Sequence, residues 1–382
     1  MNEVAASVAV GWTLAFASVV GAAYWLVAAA LTRFALSKGA RFSAASPGVS
    51  MVKPLHGAPS GLHEILRGFC EQDYDGPLQI VFGVHDEADP AIGIVHALQA
   101  EHPELDIELV IDSRLHGTNR KASNLVNMAG LTRHPVLVLS DADIAVAPGY
   151  VRSVVAALEA PEVGLVSCLY IGVESAGLWS KLSAMAISYR FTPSAILAKI
   201  GGLAEPCFGA TIALRAETLR RIGGFAPFAD HLADDYEIGR AVRALGLKIS
   251  LPPMVVGHVC EQVTGRMFVD RELRSLRTVR QIDPWGHAGS ILTHPLPLSL
   301  VAASLIGPWP FSLALPAGVV AARLVVKRSI DQATGKRVGR WWLVPVSDLL
   351  CFGLFIASFL VNSVDWQGAR FRVSRQGALV QS

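Results

Sequence analysis

Charge is scarce in this sequence. Asp, Glu, Lys and Arg make up 17% of its 382 residues, against about 25% in a typical soluble protein. The shortage is uneven: no charge occurs between Val4 and Leu31, and from Ile291 to Val326 the only one is Arg323. With 52% hydrophobic residues and a mean hydropathy of +0.43, intrinsic disorder is excluded. A bundle embedded wholly in a membrane is excluded too, because the 33 basic and 31 acidic residues concentrate in the middle of the chain. A net charge of +2 leaves no basic surplus for nucleic acid, which is not expected as a partner. Cysteine is sparse as well. Five scattered cysteines with no CxxC pair argue against a disulfide scaffold and a structural zinc site, and fit a reducing compartment.

What is present divides into segments. The uncharged stretch 4–31 exceeds the roughly 20 residues that cross a bilayer, so residues 1–32 are expected to form a transmembrane anchor. Glu3 precedes the stretch, and Arg33, Lys38, Arg41 and Lys53 follow it, which orients the next domain toward the cytoplasm. In 48–290, valine-rich runs at 78–84, 107–112, 135–144 and 163–170 read as strands. They alternate with helical spacing at 61–70, 91–101, 120–130 and 149–159. That alternation predicts an α/β domain, 33–290, with a mainly parallel sheet and ligands at the carboxyl ends of its strands. Residues 178–203 fit an amphipathic helix on a membrane surface, or equally a domain helix with one buried face. Residues 291–364 predict about three membrane helices. The first two form a hairpin broken near Gly307-Pro308, and the last, 341–362, carries Asp348, which must face protein rather than lipid. Basic residues in both the loop 327–340 and the tail 365–382 leave the side of that tail open.

Three acidic elements follow apolar runs. Ser140-Asp141-Ala142-Asp143-Ile144 closes the run VLVL, and two carboxylates two apart at an extended strand end point the same way. A hard divalent cation, Mg²⁺ or Mn²⁺, bridging phosphates needs such a pair, although a solvated turn also carries one. Leu232-Ala233-Asp234-Asp235-Tyr236-Glu237 precedes a helical pattern. Its carboxylates either complement a helix dipole or supply a general base. Asp86, in His85-Asp86-Glu87 after QIVFGV, sits where a nucleotide base or ribose is held, or in a plain turn. Arg271, Arg274 and Arg277 line one helical face, either solvated or set for a departing diphosphate. Lys121 could meet the same phosphates or merely start its helix. Gly209, in Phe208-Gly209-Ala210-Thr211, would let a sugar approach the backbone.

Together, and in this order, the stretches VSMVKPLHG, VFGVHDEADPAI, NRKASNLVNM, LVLSDADI, CFGATIALR, IGGF, LADDYEIGR and Arg271–Arg274 resemble the ceramide glucosyltransferase family. These are inverting membrane glycosyltransferases of GT-A fold. LHGTNRKASNLVNM, RTVRQIDPWGHAGS and THPLPLSL look more like its bacterial hopanoid-biosynthesis branch. The resemblance implies that Asp86 lies near the nucleotide and that Lys53 and Pro54 line the uridine site. It implies Asp141 and Asp143 for metal and diphosphate, with Asp143 in direct metal contact. Asp235 matches the catalytic base, with Asp234 beside it at the substrate, and Arg271 and Arg274 match the pair that holds the diphosphate. Ser275 departs from the family, which has Trp there. The implied reaction moves a sugar, GlcNAc in the hopanoid branch, from a UDP-sugar to a lipid hydroxyl with inversion. The expected location is the inner membrane. Glucosylation of ceramide or another lipid is the nearest alternative. A processive synthase lacks its Gln and Trp here, and a silent membrane scaffold is favoured only by Ser275.

Overall fold

The computed structural model describes residues 2–39, 46–261, 264–307, 311–360, 363–366, 369–373 and 379–381, with backbone alone from 363 onward. Arg41 and Pro308, used in the sequence reading, and parts of the tail 365–382 lie outside these residues. An N-terminal helix α1 (Asn2–Ser37) leads into an α/β domain. Its elements run β1 (Val49–Pro54), α2 (Leu62–Cys70), β2 (Leu78–Val84), α3 (Ala91–Glu101), β3 (Asp106–Ile111), α4 (Arg120–Ala129), β4 (Val136–Leu139), β5 (Ile144–Ala145) and α5 (Tyr150–Leu158). There follow β6 (Val163–Ser167), β7 (Leu169–Glu174), α6 (Gly177–Ala186), α7 (Thr192–Ile200), β8 (Ile212–Arg215), α8 (Ala216–Arg221), α9 (Asp234–Ala244), β9 (Lys248–Ser250), β10 (Val255–Cys260) and α10 (Gly265–Ile282).

Seven strands form one sheet in the order β3-β2-β1-β4-β8-β6-β9. The predicted, mainly parallel sheet is mixed: β8 runs antiparallel to both β4 and β6, while the other pairs are parallel. The predicted strand 163–170 is two strands. Its second half, β7, joins β10 and β5 in a separate three-stranded sheet. The predicted strand 135–144 likewise ends at Leu139 and restarts as β5 after a turn at Asp141. Alternate residues of the large sheet feed two cores. Met51, Phe82 and Val138 pack toward α2, α3 and α5, and Val52, Val81 and Leu139 pack toward α4 and α9. Successive side chains of a strand point to opposite faces, so helices cover both faces of the sheet. Chain order reverses between β1 and β4, which opens a crevice beyond their carboxyl ends.

Residues 178–203 are not one helix on a surface. A π-helical turn, Ile187–Phe191, joins α6 to α7, and Leu182, Met185, Tyr189 and Ile196 are buried. The C-terminal part comprises α11 (Pro284–Gly289), α12 (Pro295–Ile306), α13 (Phe311–Thr334) and α14 (Leu343–Leu360), then three short antiparallel strands within 363–381. The predicted loop 327–340 is shorter, because Lys327 and Arg328 continue α13. Two described helices are long and apolar enough to cross a membrane, Ala5–Ser37 and Leu343–Leu360. The bent pair Pro284–Thr293 and Pro295–Ile306 would be a third if it counts as one span. α1 packs closely on the C-terminal helices: a Cβ on Gly21 would collide with Leu292 O. Between them Asp348 receives the Arg323 guanidinium in two bonds of 2.8 Å. Both residues are buried, and the Trp25 ring covers Arg323.

Candidate active site

A cleft of about 1050 Å³ opens beyond the carboxyl ends of β1 and β4. Asp141, Asp143, Lys121, Asp234, Asp235, Arg271 and Arg274 are among the residues of its wall. They arrive on four elements, each for a local reason. The turn after β4 is fixed from below by Lys53 at the end of β1. Its ammonium, wholly buried over the Phe69 ring, donates to Asp141 O at 2.9 Å. Burial pushes the Lys53 pKa down to about 7 against the pull of Asp141 and Asp143. Because Asp141 and Asp143 stand in a turn, not at an extended strand end, their side chains diverge. Asp141 pairs with Lys121 at 2.7 Å, and Asp143 faces His258 Nδ1 at 3.5 Å.

Lys121 enters from the first turn of α4, where Asn119 caps the helix by accepting from Ala122 N at 3.0 Å. Burial works against its charge, but Asp141, Asp234 and Asp235 outweigh it and hold the ammonium protonated. Asp234 is itself buried, 3.2 Å from Lys121 Nζ. Asp235 accepts from Gly209 N at 2.9 Å and from Tyr236 N at 2.8 Å. These bonds aim it at the cleft from the N-terminus of α9. Burial, and then the neighbouring Asp234 charge, raise its pKa to about 6 despite Lys121. Gly209 is tightly placed, since a Cβ there would meet Asp141 Oδ2 at 2.6 Å and Lys121 Nζ at 3.1 Å.

The opposite wall is one face of α10: Arg271, Arg274, Ser275, Thr278, Val279 and Ile282, at helical spacing. Arg277 is buried away from this wall. Arg271 is held by Ser183 Oγ at 2.6 Å, Glu272 Oε1 at 3.0 Å and His258 Nε2 at 2.9 Å. Burial, then the Arg271 cation, push the Arg274 pKa down.

His258 went unmarked in the sequence. It joins Asp143 to Arg271 from β10, a strand whose place beside β5 only the second sheet reveals. A guanidinium only donates, so His258 Nε2 accepts and the ring proton sits on Nδ1, toward Asp143. Glu261, also unmarked, lines the cleft with a buried Oε1 that has no hydrogen-bond partner. Three predicted site residues lie elsewhere. Asp86 is exposed in a turn, accepting from Ala88 N at 2.9 Å. Lys53 and Pro54 lie beneath the floor and do not form the wall.

Asp143 Oδ1 is buried, faced only by the His258 ring nitrogen at 3.5 Å, and that oxygen suits a hard cation. Among the described residues no group of three His, Cys, Asp or Glu is preassembled to hold a metal ion. The arrangement puts carboxylates on one wall, two guanidiniums on the other and a perturbed carboxyl at a helix start.

The model of glycosyl transferase family 21 matches residues 12–379. The chain is similar to ceramide glucosyltransferase 1 of Caenorhabditis elegans, 25% identical over 228 residues, or 59% of this chain and 48% of that protein. It is 23% identical to ceramide glucosyltransferase 3 of the same organism over 252 residues, 65% of this chain and 54% of that protein. The match thus spans about half the length of these curated relatives. Among solved structures, a mannosyltransferase from Pyrobaculum calidifontis in complex with GDP-Man and Mn²⁺ aligns at a TM-score of 0.52 and 20% identity. The alignment covers 91% of this chain and 99% of that one. That likeness establishes a GT-A-like glycosyltransferase fold.

Proposed function

The chain belongs to glycosyl transferase family 21, and from that premise we propose that it transfers a sugar from UDP to a lipid hydroxyl, with inversion at the anomeric carbon. One observation carries the reading: Asp235 projects into the same cleft as Asp141, Asp143, Arg271 and Arg274. A hydroxyl attacking the anomeric carbon forms the new C–O bond as the bond to the diphosphate breaks. Asp235 takes the hydroxyl proton, and its pKa of about 6 keeps it ionised yet basic near neutrality. Gly209 N and Tyr236 N fix which way its oxygens point. Arg271 and Arg274 meet the negative charge that gathers on the departing UDP. The Ser183, Glu272 and His258 contacts hold Arg271 in place beforehand, so little reorganisation accompanies the reaction. Asp143 and Asp141 would hold a divalent cation, Mg²⁺ or Mn²⁺, which supplies further charge neutralisation at the diphosphate.

The curated relatives are ceramide glucosyltransferases, and the apolar helices at both ends suit an acceptor that resides in a bilayer. Within that class the stretches around 115–128 and 277–300 favour GlcNAc as the sugar. They favour a hopanoid polyol such as bacteriohopanetetrol as the acceptor. The second reading, favoured by the relatives, is glucose transfer to ceramide. The basic residues after α1 favour an inner-membrane, multi-pass chain with the α/β domain in the cytoplasm. Mass analysis of lipids from cells carrying the wild-type gene, an Asp235→Asn allele or a deletion tests the reading. Loss of an N-acetylhexosaminyl hopanoid in the latter two is the expected result. Loss of a hexosylceramide would establish the second reading instead, and an unchanged glycolipid profile would overturn both.

A further inference from the structure

The catalytic cleft does not end at α10. A second cavity of about 210 Å³ lies behind it, and Phe191, Ser275 and Val279 line both spaces. This cavity is walled by the π-helical turn, α10, the segment 287–294 and the two candidate membrane spans, which contribute Trp25 from α1 and Leu354 and Phe355 from α14. A site for a whole drug-sized molecule occupies about 300–1,000 Å³. The cavity therefore admits only a slender part of a lipid, and its far walls are the two candidate membrane spans.

Its lining is not wholly apolar. Arg190, from the π-helical turn, is held by His294 at 3.1 Å from Nη2. Its Nη1 is buried, lies 3.6 Å from Asp348 Oδ1 and makes no hydrogen bond. That ion pair is longer than a hydrogen bond. An oxygen on whatever enters the cavity would meet polar groups on its wall, since Arg190, Ser194, Ser275 and His294 all line it.

We propose that this cavity seats the linear, oxygen-bearing segment of the lipid acceptor, with the small side chain of Ser275 forming the neck through which its hydroxyl reaches Asp235. The inference rests on the lipid glycosyltransferase reading and names the part of the substrate that the protein grips. A polyol chain and an amide-bearing long-chain base share this chemistry.

Two measurements on the full-length protein in detergent micelles test it, each with bacteriohopanetetrol and with a short-chain ceramide as probe. The first compares Ser275→Trp, which fills the neck, with wild type. Ser275→Trp should raise the KM for the preferred lipid at least 10-fold while the KM for the UDP-sugar stays within threefold of wild type. An unaltered lipid KM in Ser275→Trp would overturn the proposal. The second needs no turnover. Alkylation of the thiol in Ser194→Cys by N-ethylmaleimide, located by peptide mass spectrometry, should slow at least fivefold with the lipid and not with UDP. Protection by the tetrol or by the ceramide identifies the segment seated, and protection by neither overturns the assignment. Absence of lipid glycosylation by the wild type would instead strike at the proposed function, because the alkylation readout judges the cavity independently.

Discussion

Replacing Asp235 with Asn separates chemistry from stability at a single atom. The carboxyl's pKa rises from 3.8 to about 6 through burial and then Asp234, with Asp141 adding to the rise and Lys121 opposing it. The folded protein therefore holds this proton more tightly than the unfolded chain. Its contribution to stability is fully present in acid, below the unfolded value, and is lost as pH rises through about 6. Between pH 7.5 and pH 5 the linkage amounts to about 1.4 kcal/mol in favour of the acidic condition. Asn has no proton to gain, so the variant should lack that increment, whereas titrating groups that do not interact with Asp235 act alike in both proteins and cancel in the difference. At pH 7.5, losing the strained charge is worth at most about 3 kcal/mol, two pKa units at roughly 1.4 kcal/mol each. Against this, Asn offers one acceptor oxygen where Gly209 N and Tyr236 N now use two. An amide NH left facing an NH₂ costs about 1–3 kcal/mol. The two terms nearly cancel at neutral pH, so the pH dependence is the sharper readout. Urea unfolding of wild type and Asp235→Asn in micelles at both pH values measures it, with sugar transfer assayed in parallel. Transfer should fall about 10²-fold or more. Equal pH dependence in the two proteins, or retained transfer, would refute the reasoning.

Other outcomes follow from the same geometry. The transfer rate of the wild type should rise with pH through about 6 and then level off as Asp235 ionises, and a rate that falls over that interval would contradict its role as base. Gly209→Ala inserts a methyl 2.6 Å from Asp141 Oδ2, so UDP-sugar affinity measured by calorimetry should weaken about 10-fold or more while the fold persists by circular dichroism. Asp348→Ala leaves the buried Arg323 guanidinium without its 2.8 Å partners, and the unfolding free energy in micelles should drop by about 3–5 kcal/mol.

Much of the fold was legible because buried strands and amphipathic helices impose different spacings. The runs at 78–84 and the helix at 91–101 fall where β2 and α3 begin and end. The sheet's direction was not legible. β8 is a short buried strand whose antiparallel setting depends on partners far away in sequence. Asp141, Asp143, Asp234, Asp235, Arg271 and Arg274 meet in one cleft because the turn after β4, the start of α9 and one face of α10 converge at the crevice between β1 and β4. Asp86 is not among the residues of its wall; it stands exposed in the turn after β2, accepting from Ala88 N. Lys53 is wholly buried beneath the turn after β4, outside the cleft wall: in the sequence, a buried lysine under a strand end reads the same as one lining a pocket. His258 gave no local signal. Its role comes entirely from pairing across β5, β10 and β7, which puts its ring between Asp143 and Arg271.

The most direct test of the central claim is a transfer assay with purified full-length protein and Mg²⁺ or Mn²⁺. UDP-GlcNAc and UDP-glucose are offered separately against bacteriohopanetetrol and ceramide, with lipid products identified by mass. The account predicts one glycosylated lipid with inverted anomeric configuration, formed by the wild type and lost in Asp235→Asn. Failure to glycosylate any lipid, or a retained anomer, would contradict it.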